Sequence, residues 1–271
     1  MAIELVTRYS ALVDAKLRDE IVLKDGVIFN NRYEGTPKAG AVTIRKGGAA
    51  TVQEYDRLNG VQLTENESEP IVISKFKDMV INTIIDEYNA AASADGLIAD
   101  ALDEGGYAMA MTLDTDGAIE LATAGTVFGD TTAITADTAY DIAVDANKAL
   151  TKAGVPKNGR YMIVTPDVYA NMLKSPEFTK ASQLGDAVVQ SGAVGKMASL
   201  TIFECNYLPE GVEFIAGHPN YATRVNEWAI DVRVQSLNGD GRHIGASAVQ
   251  GRKVYAHKVT SPEAILVKKS A

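Results

Sequence analysis

"RYEGTPKAGAVTIRKGGAATVQEYD" spans Arg32 to Asp56, and its reading decides how the rest of the chain is understood. Its middle alternates as a strand does: Val42 and Ile44 point one way, Thr43 and Arg45 the other. A second strand-like piece, Ala50 to Tyr55, follows the turn at Lys46-Gly47-Gly48. Two strands around a Gly-Gly turn predict a β-hairpin. The hairpin has too few apolar residues to make a core, and isolated hairpins are marginal in water. It must lean on something beyond itself.

Upstream, Leu5, Tyr9, Leu12, Val13, Leu17 and Ile21 fall on one face of a helix predicted over residues 4–21. That stripe has no local partner, so it packs on another part of the protein or on another subunit. Asp25-Gly26 turns the chain, and Val27–Phe29 is strand-like. Downstream, Asn59-Gly60 and a polar tract, residues 64–69, close the hairpin. Pro70 to Ile85 is extended, with Ile71, Ile73, Met79 and Ile81 alternating. Residues 90–122 are rich in Ala, Leu and Met and predict one long helix starting near Ser93 or Ala94. Gly105-Gly106 lies inside it, either because another backbone approaches there or because the helix bends there.

After a loop over 123–135, Asp137 is expected to cap a helix carrying Tyr140, Ile142, Ala143, Ala146 and Leu150 and ending at Gly154. Arg160–Thr165 is a short buried strand, Pro166–Leu173 a helix with proline in its first turn, and 175–197 a loop. Leu200–Glu204 and Val212–Ala216 are strands. In "EWAIDVRVQ", Glu227 to Gln235, Trp228, Ile230, Val232 and Val234 are expected on one face. Asn238–Gly241 is a turn, and Lys253–Val259 and Ala264–Lys268 are further strands.

With 271 residues and a net charge of −9, the chain can bury a real core but offers no basic surface for nucleic-acid phosphates. A single cysteine, Cys205, excludes an internal disulfide and fits a reducing compartment. No apolar run approaches membrane-span length, and no signal-peptide core is present. Catalytic patterns are missing as well. His218, His243 and His257 are scattered without metal-ligand spacing. Cys205 follows a buried strand and reads as an inert packing thiol. Gly239-Asp240-Gly241 with Gly245 has the wrong spacing for a dinucleotide loop. Asp114-Thr115-Asp116-Gly117 lacks the rest of a calcium ladder, so its carboxylates are expected in solvent. Asp100, Asp103 and Glu104 read as the wet face of the long helix. A structural or binding role is therefore the first expectation, with no enzyme activity, cofactor or metal.

The order of elements is informative where single motifs are not. An N-terminal helix, a long polar hairpin, an extended return, a long helix, an α/β module and a final β-layer make an α+β chain. That order resembles the major capsid proteins of tailed bacteriophages, the Hong Kong 97 capsid fold. "NNRYEGTPKAGAVTIRKGGAATVQEYD", "NGRYMIVTPDVYANMLKSPEF", "FECNYLPEGVEFIAGHPNYATRV" and "VQGRKVYAHKVTSPEAILVKK" carry the resemblance, which extends over almost the whole chain. It implies an N-terminal arm over 1–34, an extended β-hairpin loop over 35–70 that reaches onto a neighbouring subunit, and a peripheral domain with a long spine helix over 71–122. It further implies an axial α/β domain over 123–220 and a return to the peripheral sheet over 221–271. Intersubunit contacts are then expected at Val42, Ile44, Arg45, Lys46 and Tyr55 of the loop and at Leu12 and Leu17 of the arm, with a spine-helix hinge at Gly105-Gly106.

The function implied is self-assembly through hexamers and pentamers into an icosahedral shell around double-stranded viral DNA, without sequence-specific DNA contacts or a membrane. The further partners implied are a separate scaffolding protein, a portal and a decoration protein. The place implied is the virion capsid, assembled in the host bacterial cytoplasm. An encapsulin-like nanocompartment around cargo enzymes is the alternative.

Overall fold

A computed structural model describes residues 18–32, 41–47, 52–61, 70–73, 77–86, 97–176, 195–239 and 241–270. Most of the helix expected over 4–21, including Leu12 and Leu17, lies outside these residues, and the part inside, 18–21, is not helical. The long helix, here α1, is Leu97–Ala124, 28 residues. At 1.5 Å per residue it is about 42 Å long. It stops at Gly125, where a Cβ would lie 2.7 Å from Val267 and 2.8 Å from the Leu121 carbonyl oxygen, so no side chain fits.

Strand β1 is Val42–Arg45, and its partner is not Ala50–Tyr55. It pairs antiparallel with β2, Pro70–Ile73, in the register Val42–Ile73 and Ile44–Ile71. Residues 52–55 carry no strand. The Gly-Gly signal was local, whereas the true pairing matches two apolar alternations that are distant in sequence.

Strand β3, Lys77–Asp86, joins β9, Ala222–Ser236, and β10, Ala246–Val259, in an antiparallel sheet of order β3-β10-β9. Helix α1 crosses one face, where Gly105 meets Ile81 and Val232. The base of the β1–β2 ribbon packs through Ile44 and Ile73 onto Val225 and Ala256, a register pair of β9 and β10.

The second sheet has six strands: β4, Thr126–Val127; β5, Tyr161–Val164; β6, Lys196–Met197; β7, Leu200–Glu204; β8, Val212–Gly217; and β11, Leu266–Lys269. Their order is β4-β11-β8-β5-β7-β6. On one face, Met162, Val164, Phe214 and Leu266 pack against α2, Ala139–Lys152, and α3, Pro166–Leu173. On the other, Tyr161, Ile163, Ile215 and Val267 pack against Ala118 and Leu121 of α1 and against Leu23, Ile28 and Phe29. Both faces of β5 are covered, which is why YMIV is an unbroken apolar run.

Three local expectations need correction. The N-cap of α2 is Thr138, not Asp137; its hydroxyl accepts from the Thr135 amide and donates to the Ala133 carbonyl instead of capping the helix. Gly26, whose φ is +82°, Val27 and Ile28 form a turn, and Phe29 makes only an isolated bridge to Asp25, so Val27–Phe29 is not a strand. In β9, the register against β10 shifts twice around Arg252, so the alternation of "EWAIDVRVQ" does not map onto one face. Val232 turns toward Gly105 of α1, whereas Ile230 lies opposite Arg252, across β10 from Val80.

The β6–β7 hairpin turns through Ala198 and Ser199, with φ of +47° and +67°. Left-handed geometry at both central residues suits Asn-Gly, and side chains without its tolerance are strained there. Ala198→Asn with Ser199→Gly is therefore expected to stabilise the protein by about 1 kcal/mol. A urea midpoint that fails to rise would contradict this.

Candidate assembly surface

The residues expected to meet another subunit separate into two groups. Ile44 is only 3 % exposed and is used within its own chain, with Val42 packed beside the same cluster. The hairpin thus leans on its own domain at its base, contrary to the expectation that it lacks intrachain support. Arg45 and Lys46 are exposed beyond this anchor, and Lys46 lies 3.8 Å from Glu263.

Further out, Asp56 organises a small turn. Its carboxylate accepts from the Leu58 amide at 2.8 Å and from Asn59 Nδ2 at 2.6 Å, and its carbonyl accepts from Gly60 N at 2.9 Å. The Leu58 amide is the main reason its carboxyl is held below the usual range. This turn presents Leu58 outward at 94 % exposure, with Val52 at 95 % and Tyr55 at 71 %. Sequence reasoning named Tyr55 but missed Val52 and Leu58. The signal available was the Asp-x-x-Asn-Gly turn, which leaves the leucine between its polar residues no inward direction.

A buried polar hub ties the 22–30 segment, α1 and the β9–β10 pair to one another. Arg224 of β9 donates to Asp114 of α1 at 3.0 Å, to the Leu23 carbonyl at 2.8 Å and to Asp25 at 3.2 Å. Its Nε donates to His257 Nε2 of β10 at 2.9 Å, and its guanidinium lies 4.6 Å from the Phe29 ring centroid. Asp114 also accepts from the Leu23 amide at 2.9 Å and the Tyr207 hydroxyl at 3.0 Å. The expectation that the Asp114–Gly117 carboxylates face solvent is therefore wrong for Asp114, which is 1 % exposed. Burial raises its carboxyl above the usual range, against the pull of Arg224. Asp116 is held between Lys77 and the Tyr255 hydroxyl, each at 2.6 Å.

His257 is neutral here, since Nε2 accepts from a guanidinium. Burial first, and the Arg224 cation second, push it down to about 3 from 6.5. Below pH 6.5 the unfolded chain takes up a proton that the folded chain refuses, so stability falls as pH drops toward 3. At pH 5 the loss from this group is about 2 kcal/mol. Asp114 shifts the opposite way and offsets part of the loss in the acid range. Urea midpoints at pH 7.5 and 5.0 should drop more for the wild type than for His257→Gln; equal drops would contradict this.

The other sequence candidates serve the fold. His218 accepts from the Asn220 amide through Nδ1, leaving Nε2–H to donate to the Asn158 carbonyl. The Cys205 thiol is buried and pushed up to about 11, mainly by desolvation. Asp103 and Glu104 bind Arg18 on the surface. Among the described residues no group of three or more His, Cys, Asp and Glu is placed to hold a metal ion, and no helix is long and apolar enough to cross a membrane.

At Gly105 an added Cβ would make only ordinary contacts, 3.6 Å from Ile81 and Val232, and at Gly106 it would meet nothing within 4 Å. Close backbone approach therefore does not explain the glycine pair.

The same architecture occurs in solved phage structures. A structure titled Mycobacterium phage Che8 matches with a TM-score of 0.82 at 24 % identity, over 98 % of this chain and 97 % of that one. The capsid structure of the cyanophage P-SCSP1u matches at 0.80 and 16 % identity, over 99 % and 93 %. The mature capsid of bacteriophage PhiM1 matches at 0.77 and 13 % identity, over 98 % and 92 %. At these identities the likeness establishes the fold. No curated protein matches the chain. Residues 82–267, well over half of the chain, match the family model described as phage capsid protein. The chain belongs to the phage capsid protein family, a structural component of the virion capsid that associates with copies of itself.

Proposed function

We propose that the chain is the major coat subunit of a tailed-phage shell of the Hong Kong 97 type. It assembles through hexamers and pentamers into an icosahedral container for double-stranded DNA. The observation that carries this reading is the loop whose base is anchored by Ile44 and Ile73 on its own sheet while its tip exposes Val52, Tyr55 and Leu58. Exposed apolar groups held out on an ordered turn suit an interaction surface, and another copy of the chain is its natural partner. Residues 35–70 then serve as the loop lying on the neighbour, with Arg45 and Lys46 at its rim, and residues 1–34 as the arm, with Leu12 and Leu17 as contacts. Residues 71–122 act as the peripheral domain with its spine helix, 123–220 as the axial domain at the capsomer axes, and 221–271 as the return to the peripheral sheet.

The net charge of −9 suits a container that encloses DNA without gripping its sequence. A separate scaffolding protein, a portal and a decoration protein complete the particle, which is built in the cytoplasm of the bacterial host. Sedimentation of the purified chain at rising concentration tests the reading. Species of five or six subunits and larger are expected, and a monomer at every concentration even with the scaffolding protein present would overturn it.

A further inference from the structure

We propose that Arg18 and Asp19 form a strap that holds α1 straight across Gly105-Gly106, and that releasing the strap lets the helix open or bend there. The contacts bracket the glycine pair. Before it, Arg18 Nη1 donates to Asp103 at 2.6 Å and Nη2 to Glu104 at 2.9 Å. After it, the same guanidinium lies 4.9 Å from the Tyr107 ring centroid, and the Tyr107 hydroxyl donates to the Asp19 carbonyl at 3.1 Å.

The strap is also fastened at its other end. Asn206 donates to Asp19 at 3.2 Å, the Val22 amide to Tyr207 at 2.9 Å, and the Leu23 amide to Asp114 at 2.9 Å. Residues 18–29 thus run alongside α1 in the same direction, meeting it at 103 and 104 and, further on, at Gly117, where a Cβ would lie 3.0 Å from Phe29. A segment fixed at Leu23 and clasped at Arg18 acts as a splint over what lies between.

The splint covers the weakest point of the helix. Two interior glycines disfavour helix by about twentyfold relative to two alanines. On the sheet side, Ile81 and Val232 support Gly105, whereas the space beside Gly106 is open. Arg18 supplies what the glycines lack, through contacts that solvent and salt can reach. A pull on the chain before Arg18, from a second copy of the subunit, would reach the helix through this clasp.

The test is amide hydrogen exchange over residues 100–110 of the full chain, in four proteins: wild type, Arg18→Ala, Gly105→Ala/Gly106→Ala, and the triple variant. Arg18→Ala should speed exchange there by roughly threefold to tenfold, the worth of one surface clasp. With alanines at 105 and 106 the same substitution should change exchange by less than about twofold, because the helix no longer needs the strap. Residues 118–122 should be unaffected. Arg18→Lys, which keeps the charge but not the fork, should fall between. No change on Arg18→Ala, or an equal change in both backgrounds, would overturn the strap. The readout is the helix itself, so failure here leaves the coat-subunit reading standing.

Discussion

Arg224→Met is expected to cost about 3–5 kcal/mol of folding stability, the usual effect of stripping one partner from a buried ion pair. The substitution leaves Asp114 in the interior with the Leu23 amide and Tyr207 hydroxyl but no cation. It also removes the donor to His257 and the anchor of the Leu23 carbonyl. Three elements that are remote in sequence, the 22–30 segment, α1 and the β9–β10 sheet, lose their common tie. A loss of that size is a large part of a domain's typical 5–15 kcal/mol. Adding Asp114→Asn removes the unpaired charge while keeping an acceptor, so the double variant should recover more than half of the loss. Chemical denaturation of the three proteins at pH 7.5 measures both effects. A loss under 1 kcal/mol for Arg224→Met would mean that water reaches Asp114 and that the hub is not a tie.

The loop tip should behave in the opposite way. Val52→Ser, Tyr55→Ser and Leu58→Ser together should barely change the folded subunit, since exposed positions usually shift stability by no more than about 0.5 kcal/mol each. Assembly should fall by far more than tenfold. Burying three such side chains against a neighbour contributes about 1.5–3 kcal/mol apiece, and every 1.4 kcal/mol is a factor of ten in association. Ile44→Ala supplies the contrast. It sits in the anchor rather than the tip, so it should cost about 2–5 kcal/mol of folding stability. Melting curves beside the assembled fraction separate the two. A tip variant that unfolds, or that assembles normally, would show that the exposed residues are not the contact.

Much of this architecture is legible in the residues. Pro166–Leu173 and Leu200–Glu204 are found where proline, apolar run and spacing place them. The long helix begins and ends within a few residues of its expected span. What failed did so where pairing over distance outranks local pattern. Gly47-Gly48 suggested a tight turn, but Ile44 finds its partners in Ile71 and Ile73 and in Val225 and Ala256. The clean alternation around Trp228 was broken by two bulges opposite Arg252, which no single strand reveals.

Asp114 was misread because Asp-x-Asp-Gly looks like a loop. Its helical phase told otherwise: Ala118 and Leu121, four and seven residues on, are both fully buried, and they set Asp114 on the same inward stripe. Its cation, Arg224, lies 110 residues away in sequence, between the buried Thr223 and Val225. A pair so distant is visible only once the helix lies on the sheet.

The coat-subunit account is tested most directly by electron microscopy of particles recovered after expressing this chain in a bacterium together with its scaffolding protein. The account predicts closed shells or rings of five and six subunits, with the loop carrying Leu58 seated on the adjacent copy. Dispersed single subunits, or shells in which Val52, Tyr55 and Leu58 all remain in solvent, would contradict it.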